Sequence, residues 1–263
     1  MKSNMHTHTS FCDGKNKIEA IIRCAINKGF DAIGFSSHAY TGLKEDECGM
    51  SEEGTNEYFE ELARFKKEYE NVIDIYAGLE EEALFSKLDD RCDYKIISCH
   101  YVKANDELLP IDLDKNVLQR ALTIMGEEAF FDYYYSALIK GFSNLKGTIV
   151  GHLDLYTKFD EQDPLFNEIP SIAYDAIDTL ASMGAIFEVN TGAMARGYRS
   201  KPYPSAPLLK HIKEINGKII ITSDCHNMDL LDYGFDEAKD LLLELGFRRQ
   251  VYPSKNGFIE IDL

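Results

Sequence analysis

Short apolar runs alternate with helix-period patterns along the whole chain. Seven runs, at residues 4–8, 31–36, 72–80, 94–100, 148–152, 185–190 and 218–224, are brief, apolar and bounded by Gly or polar residues. That is the pattern of strands buried in a parallel sheet. Between them, Ile18, Ile21, Ile22 and Ile26 recur at helical spacing, and Gly29 follows as a C-terminal stop. Ile172, Ala176, Ile177 and Leu180 form a second stripe; Leu208, Leu209, Ile212 and Ile215 form a third. Residues 55–69 and 114–140 also read as helix, with a break in the longer one at Gly126. These stripes are core faces and carry no chemistry.

Strand–helix alternation implies a parallel α/β fold. Seven strands are too many for a small sheet and one short of the usual eight-stranded barrel. The stretches 247–251 and 257–261 read as a terminal hairpin or a cover. Neither an internal repeat nor a linker divides the 263 residues, so one domain over 1–263 is expected.

The polar positions sharpen this picture. Nearly every strand ends in a metal-competent side chain: His6 and His8, His38, Glu80, His100, His152, then Asp224 with His226. The run 185–190 carries Glu188 and Asn190 instead. In a closed α/β barrel the C-terminal strand ends converge on one mouth. Six of the seven histidines lie at these ends. As separate buried residues each would need its own hydrogen-bond partners, so one shared cluster is the simpler explanation. His211 sits on a helical stripe without ligand neighbours and reads as structural. His6 and His8, two apart on a strand, face the same side and can reach one ion. With Asp13 the candidate ligands number nine: His6, His8, Asp13, His38, Glu80, His100, His152, Asp224 and His226. That is too many for one ion and generous for two, whereas a bridging carboxylate allows three. Imidazole with carboxylate suits divalent zinc, manganese or iron better than magnesium or calcium.

Composition adds exclusions. The chain is 44% hydrophobic and 28% charged, with no low-complexity tract, as in soluble globular proteins. No apolar run is long enough to span a bilayer, so no membrane partner is expected. The metal motif begins close to Met1, which leaves little room for a leader, and a cytoplasmic location is expected. A formal net charge of −17 repels polyanions and argues against nucleic acid as a partner. A small phosphorylated substrate stays compatible, because bound metal ions dominate the field inside a site. Cys12, Cys24, Cys48, Cys92, Cys99 and Cys225 form neither a Cys-x-x-Cys pair nor a disulfide framework and read as free buried thiols. Nothing in the pattern sets an oligomeric state.

No Cys-x5-Arg loop, Walker A or Gly-x-Ser-x-Gly motif offers a rival nucleophile. The expected chemistry is phosphomonoester hydrolysis by a metal-bridging hydroxide, without a covalent intermediate. Lys158, Arg196 and Arg199 are candidates to hold the phosphate, Arg196 foremost, though each equally reads as a solvated loop charge. Tyr101 is either a pocket wall or a packed tyrosine. Asp224 or a metal-bound water is the candidate for proton transfer to the leaving group.

The segments Met5-His6-Thr7-His8-Thr9, Ser37-His38, Gly78-Leu79-Glu80, Ser98-Cys99-His100, Gly151-His152-Leu153-Asp154, Glu188-Val189-Asn190 and Ser223-Asp224-Cys225-His226 resemble, in order, the motifs of the PHP (polymerase and histidinol phosphatase) family. The likeness covers essentially the whole chain. Phe11-Cys12-Asp13-Gly14 and Pro202-Tyr203-Pro204-Ser205 are most similar to its histidinol-phosphate phosphatase branch. The resemblance implies a distorted (β/α)7 barrel with a trinuclear metal centre. It implies one ion on His6, His8, Glu80 and Asp224, and a second on bridging Glu80 with His100 and His152. Asp13, His38 and His226 would hold the third; many family members carry His where Asp13 stands. The implied reaction is hydrolysis of L-histidinol phosphate to L-histidinol and inorganic phosphate in histidine biosynthesis. The alternative within the family is another small phosphate ester or a nucleotide. The alternative class is a scaffold that has lost catalysis, against which the full set of ligand-competent side chains argues.

Overall fold

A computed structural model describes residues 1–44, 46–159 and 169–263. In chain order the strands are β1 (Ser3–Asn4), β2 (Ala32–Phe35), β3 (Asp74–Glu82), β4 (Tyr94–Ser98), β5 (Tyr101–Ala104), β6 (Glu107–Pro110), β7 (Ile149–Val150), β8 (Ile186–Asn190), β9 (Lys218–Thr222), β10 (Arg249–Ser254) and β11 (Gly257–Asp262). All seven runs expected as strands join one parallel sheet, in the order β1-β2-β3-β4-β7-β8-β9. Beyond Asn4 the chain runs on beside the segment after β9. His8 N donates to Cys225 O at 2.9 Å and Cys225 N to His6 O at 3.0 Å, which brings the two edges of the sheet together. The result is a distorted (β/α)7 barrel.

The first strand is shorter than its apolar run for a local reason. His6 N is taken by Asn4 Oδ1 at 3.1 Å and Thr7 N by Ser36 Oγ at 3.0 Å. Side chains that capture backbone donors compete with the ladder, so residues 5–9 follow an irregular seam.

Helices α1 (Ile18–Asn27), α2 (Glu52–Glu68), α3 (Lys115–Met125), α4 (Glu127–Asn144), α5 (Ser171–Ser182) and α7 (Ala206–Glu214) form where the stripes predict, while α6 (Gly192–Ala195) and α8 (Phe235–Glu244) are additional. Ser51 caps α2 by accepting from Gly54 N, with Glu52 and Glu53 in the first turn and Lys66 and Lys67 in the last, complementing the helix dipole. The stretch 114–140 divides at Gly126, whose φ of 78° suits glycine. Helices α1 and α2 bury their stripes against β2 and β3. A second, larger apolar layer covers the rest of the barrel.

Inside the barrel, Met5, Tyr94, Ile96, Ile149, Ile186 and Ile220 pack with Val251 of β10. Tyr94 OH donates to Met5 O at 2.6 Å and lies 3.1 Å from Phe35 O, so this large ring is anchored as well as buried. The C-terminal stretches are therefore both a hairpin and a cover. A further hairpin, β5–β6, follows β4 directly and is not announced by the periodicity. All six cysteines are free, but only Cys99 and Cys225 are buried and Cys48 is exposed, which corrects the expectation of buried thiols throughout. Among the described residues no helix is long and apolar enough to cross a membrane.

Candidate metal centre

Parallel strands share one direction, so side chains at their C-terminal ends meet at one mouth. His6 and His8 stand on the seam after β1, and His38 follows β2, bridged to Glu80 of β3. His100 follows β4, His152 follows β7, and Asp224 and His226 follow β9. Asp13 arrives on a tight turn in which Cys12 N and Gly14 N both donate to Thr9 O, at 3.0 Å each; Lys15 N donates to His226 O at 2.9 Å and ties the turn to the last loop. All nine candidate ligands are thus brought together.

Glu80 is the hub. Its Oε2 lies 3.2 Å from His6 Nε2, 3.3 Å from His8 Nε2 and 3.2 Å from His38 Nδ1. Its Oε1 lies 3.0 Å from His152 Nε2 and 3.5 Å from His100 Nε2, and accepts from Ser98 Oγ at 2.6 Å. Asp224 Oδ1 sits 3.2 Å from His8 Nε2, 3.6 Å from His6 Nε2 and 3.5 Å from His226 Nδ1. Asp13 reaches His226 Nε2 at 3.2 Å and His38 Nε2 at 3.9 Å. His38 therefore stands between two groups, nearer Glu80 than Asp13.

Charge in this cluster is tightly compensated. Burial pushes the Glu80 carboxyl up, but the imidazoles of His6, His38 and His100 outweigh it and hold the group well below the ordinary carboxylate range. Burial likewise raises Asp224, and Arg196 with His6 more than reverses the effect. Asp224 also has a left-handed backbone, φ 46°, unusual for a residue other than glycine.

The phosphate candidates separate. Lys158 and Arg196 line the mouth, as does Tyr101, which is also largely buried. Lys158 Nζ donates to Asp112 O at 2.7 Å and lies 3.1 Å from Asp112 Oδ2. Arg196 Nη2 lies 3.0 Å from Asp224 Oδ2 and Nη1 3.3 Å from His226 Nδ1. Arg199 goes elsewhere. Its guanidinium is buried against Thr157, donates to Lys201 O at 3.2 Å and stacks on Tyr203 with 4.5 Å to the ring centroid. Among the described residues Arg199 does not line the mouth, and in place of the expected contact with phosphate it packs against Thr157, Lys201 and Tyr203. The Gly-x-Glu spacing favours Glu80 over the adjoining Glu81 and Glu82, yet Glu82 also lines the mouth; Asp46, Glu47 and Asp112 in the lining carry no such motif. Glu82 carried a signal, being two residues from Glu80 and hence on the same strand face.

The residues fit metal ions on two grounds. His6 Nε2 and His8 Nε2 are fully buried without a hydrogen bond, although the carboxylates of Glu80 and Asp224 lie beside them. Buried polar atoms ordinarily have partners. Among the described residues three sets of donor atoms also lie within 4.8 Å of one another: His8, Asp13, His38 and His226; His6, His8 and Glu80; His38, Glu80 and His100. Mixed imidazole and carboxylate donors suit divalent transition metals.

Fold and mouth together define a metal-binding (β/α)7 barrel. The chain belongs to the PHP domain family, whose sequence pattern matches residues 4–192. It is 28% identical to a probable histidinol-phosphatase of Schizosaccharomyces pombe, covering 94% of this chain and 87% of that protein. The histidinol-phosphatase of Bacillus subtilis is 25% identical, covering 89% and 97%. The crystal structure of a putative histidinol phosphatase from Listeria monocytogenes superposes with a TM-score of 0.75 at 19% identity, over 90% of this chain and 99% of that one. Histidinol phosphate phosphatase of Lactococcus lactis, solved with zinc, L-histidinol and phosphate, gives 0.72 at 21% identity, over 98% of both chains. These two structures establish the likeness of fold.

Proposed function

We propose that this protein is a divalent-metal phosphomonoesterase that hydrolyses L-histidinol phosphate to L-histidinol and inorganic phosphate, as a step of histidine biosynthesis in the cytoplasm. The observation that carries this reading is the convergence of nine ligand-competent side chains on one mouth of a barrel whose curated relatives are histidinol-phosphatases. Residues 1–263 act as one catalytic domain.

His6, His8, Glu80 and Asp224 would hold one ion, Glu80 with His100 and His152 a second, and Asp13, His38 and His226 a third of zinc, manganese or iron. When bound, such ions activate water and neutralise charge on phosphoryl oxygens. The side chains do the rest. Arg196 presents a guanidinium beside Asp224, suited to a phosphate oxygen. Lys158 adds a second cation at the mouth, held in place by Asp112. Asp224, kept anionic by Arg196 and the imidazoles, suits a ligand better than a general acid. Tyr101 forms a wall of the cavity, whose volume is about 520 Å³. Asp46, Glu47 and Asp112 line the same cavity and complement a substrate that carries a cation as well as a phosphate.

A panel of phosphomonoesters tests the reading. Histidinol phosphate should be turned over with the highest kcat/KM, ahead of neutral alcohol phosphates, sugar phosphates and nucleotides. Equal turnover across the panel would refute the substrate assignment, and a nucleotide preference would point to the alternative phosphoesterase activity.

A further inference from the structure

Glu188 lies in the middle of β8 and, among the described residues, belongs to none of the donor groups at the mouth. Its side chain is fully buried. Four donors converge on it: His6 Nδ1 at 2.8 Å and Thr222 Oγ1 at 2.8 Å on Oε2, His152 N at 2.5 Å and Asn190 Nδ2 at 2.8 Å on Oε1. An ionised carboxylate only accepts, so the ring nitrogen facing it must carry the proton. The proton on Nδ1 leaves the lone pair on Nε2, the atom that faces Glu80 and Asp224. The arrangement occurs twice. Glu82 Oε2 accepts from His100 N at 2.9 Å and lies 3.0 Å from His100 Nδ1, while His100 Nε2 faces Glu80.

We propose that Glu188 is a positioning residue for the metal centre: it fixes the His6 ring with Nδ1 protonated and Nε2 turned to the ion, and holds His152 in register through its backbone. The proposal rests on the metal-binding reading of the mouth. Carboxylates behind ligating histidines tune affinity through ring orientation and basicity, and their loss costs roughly 10- to 100-fold in metal affinity or activity. Glutamine cannot reproduce this: its NH2 group would either face the two N–H donors of His152 and Asn190 or require His6 Nδ1 to accept, which is the other tautomer.

The test measures zinc affinity by chelator competition on the full-length wild type, Glu188→Gln, His6→Asn and the double variant. Long-range proton–nitrogen NMR on the zinc-loaded wild type reads the His6 tautomer independently of any variant's folding. Glu188→Gln should lose roughly 10- to 100-fold in affinity, and the loss should largely vanish in the His6→Asn background. His6 should carry its proton on Nδ1. Wild-type affinity in Glu188→Gln, an equal loss in both backgrounds, or a proton on Nε2 would overturn the proposal. A wild-type protein that binds neither zinc nor manganese nor iron would instead overturn the metal reading itself.

Discussion

Gly192 begins the short helix α6, against Asp224. A Cβ there would lie 2.7 Å from Asp224 Cβ, 2.9 Å from Asp224 Oδ2 and 3.0 Å from Ser223 O. Carbon atoms pack at about 3.5–4.0 Å, so Gly192→Ala forces a displacement on the order of 1 Å. Asp224 has little room to retreat, with its oxygens already beside His8, Arg196 and His226. Alanine is the better helix former by about 1 kcal/mol, so any loss reports the clash rather than propensity. Overpacking of this kind costs about 1–3 kcal/mol, and a misplacement of about 1 Å at a reacting site costs on the order of 10²-fold in rate. The assay is phosphate release at saturating metal, with thermal unfolding in parallel. Gly29→Ala is the control: its φ is +73° and nothing lies within 4 Å of the added Cβ. It should cost about 1–2 kcal/mol of stability for the left-handed backbone and leave kcat unchanged. Wild-type kcat and metal content in Gly192→Ala would refute the role given to the position of Asp224.

Arg199→Ala should lower stability by roughly 1.5–3 kcal/mol through lost charge-assisted hydrogen bonds, with KM near wild type; a large rise in KM at unchanged melting temperature would return Arg199 to the phosphate. Arg196→Ala should lower kcat/KM by about 10²- to 10³-fold, the cost of removing a preorganised donor, and an unchanged value would remove it from the site. Asp232 pairs with Lys2 and Lys28, at 2.7 Å each. Burial alone would raise its carboxyl, and the two ammonium groups more than reverse this and hold it below the usual range. A lowered folded pKa stabilises above the unfolded value of about 3.9 and is lost as pH falls through the folded one. Urea unfolding of Asp232→Asn should therefore show a deficit near neutral pH that shrinks towards pH 3; a deficit that grows in acid would contradict the sign.

Strand ends were legible because a parallel barrel turns chain order into spatial order. His6, His100, His152 and Asp224 follow strands of one sheet and Glu80 lies near the end of another of its strands, and this placement is enough to bring them together. What a side chain does after its strand ends was not legible. Arg199 lies three residues beyond Arg196, yet the chain turns at Gly197, φ 76°, and delivers it to Thr157 and Tyr203 instead of the mouth. Asp112 was missed because it follows β6, and the hairpin β5–β6, with Lys103 and Glu107 in its short strands, lacks the apolar run that marks most of the barrel strands. The seam at residues 5–9 also escaped, since its departure from the ladder depends on the Asn4 and Ser36 side chains rather than on periodicity. Glu188 was visible as an acid on a strand, but only the distances to His6 and His152 reveal that it stands behind the ligands.

The most direct measurement is a zinc titration of metal-free protein with phosphate release from L-histidinol phosphate followed throughout. No turnover is expected at the start, followed by a rise that breaks at three ions per chain. Full turnover in the metal-free protein, or no turnover at any zinc level when manganese and iron fail as well, would contradict it.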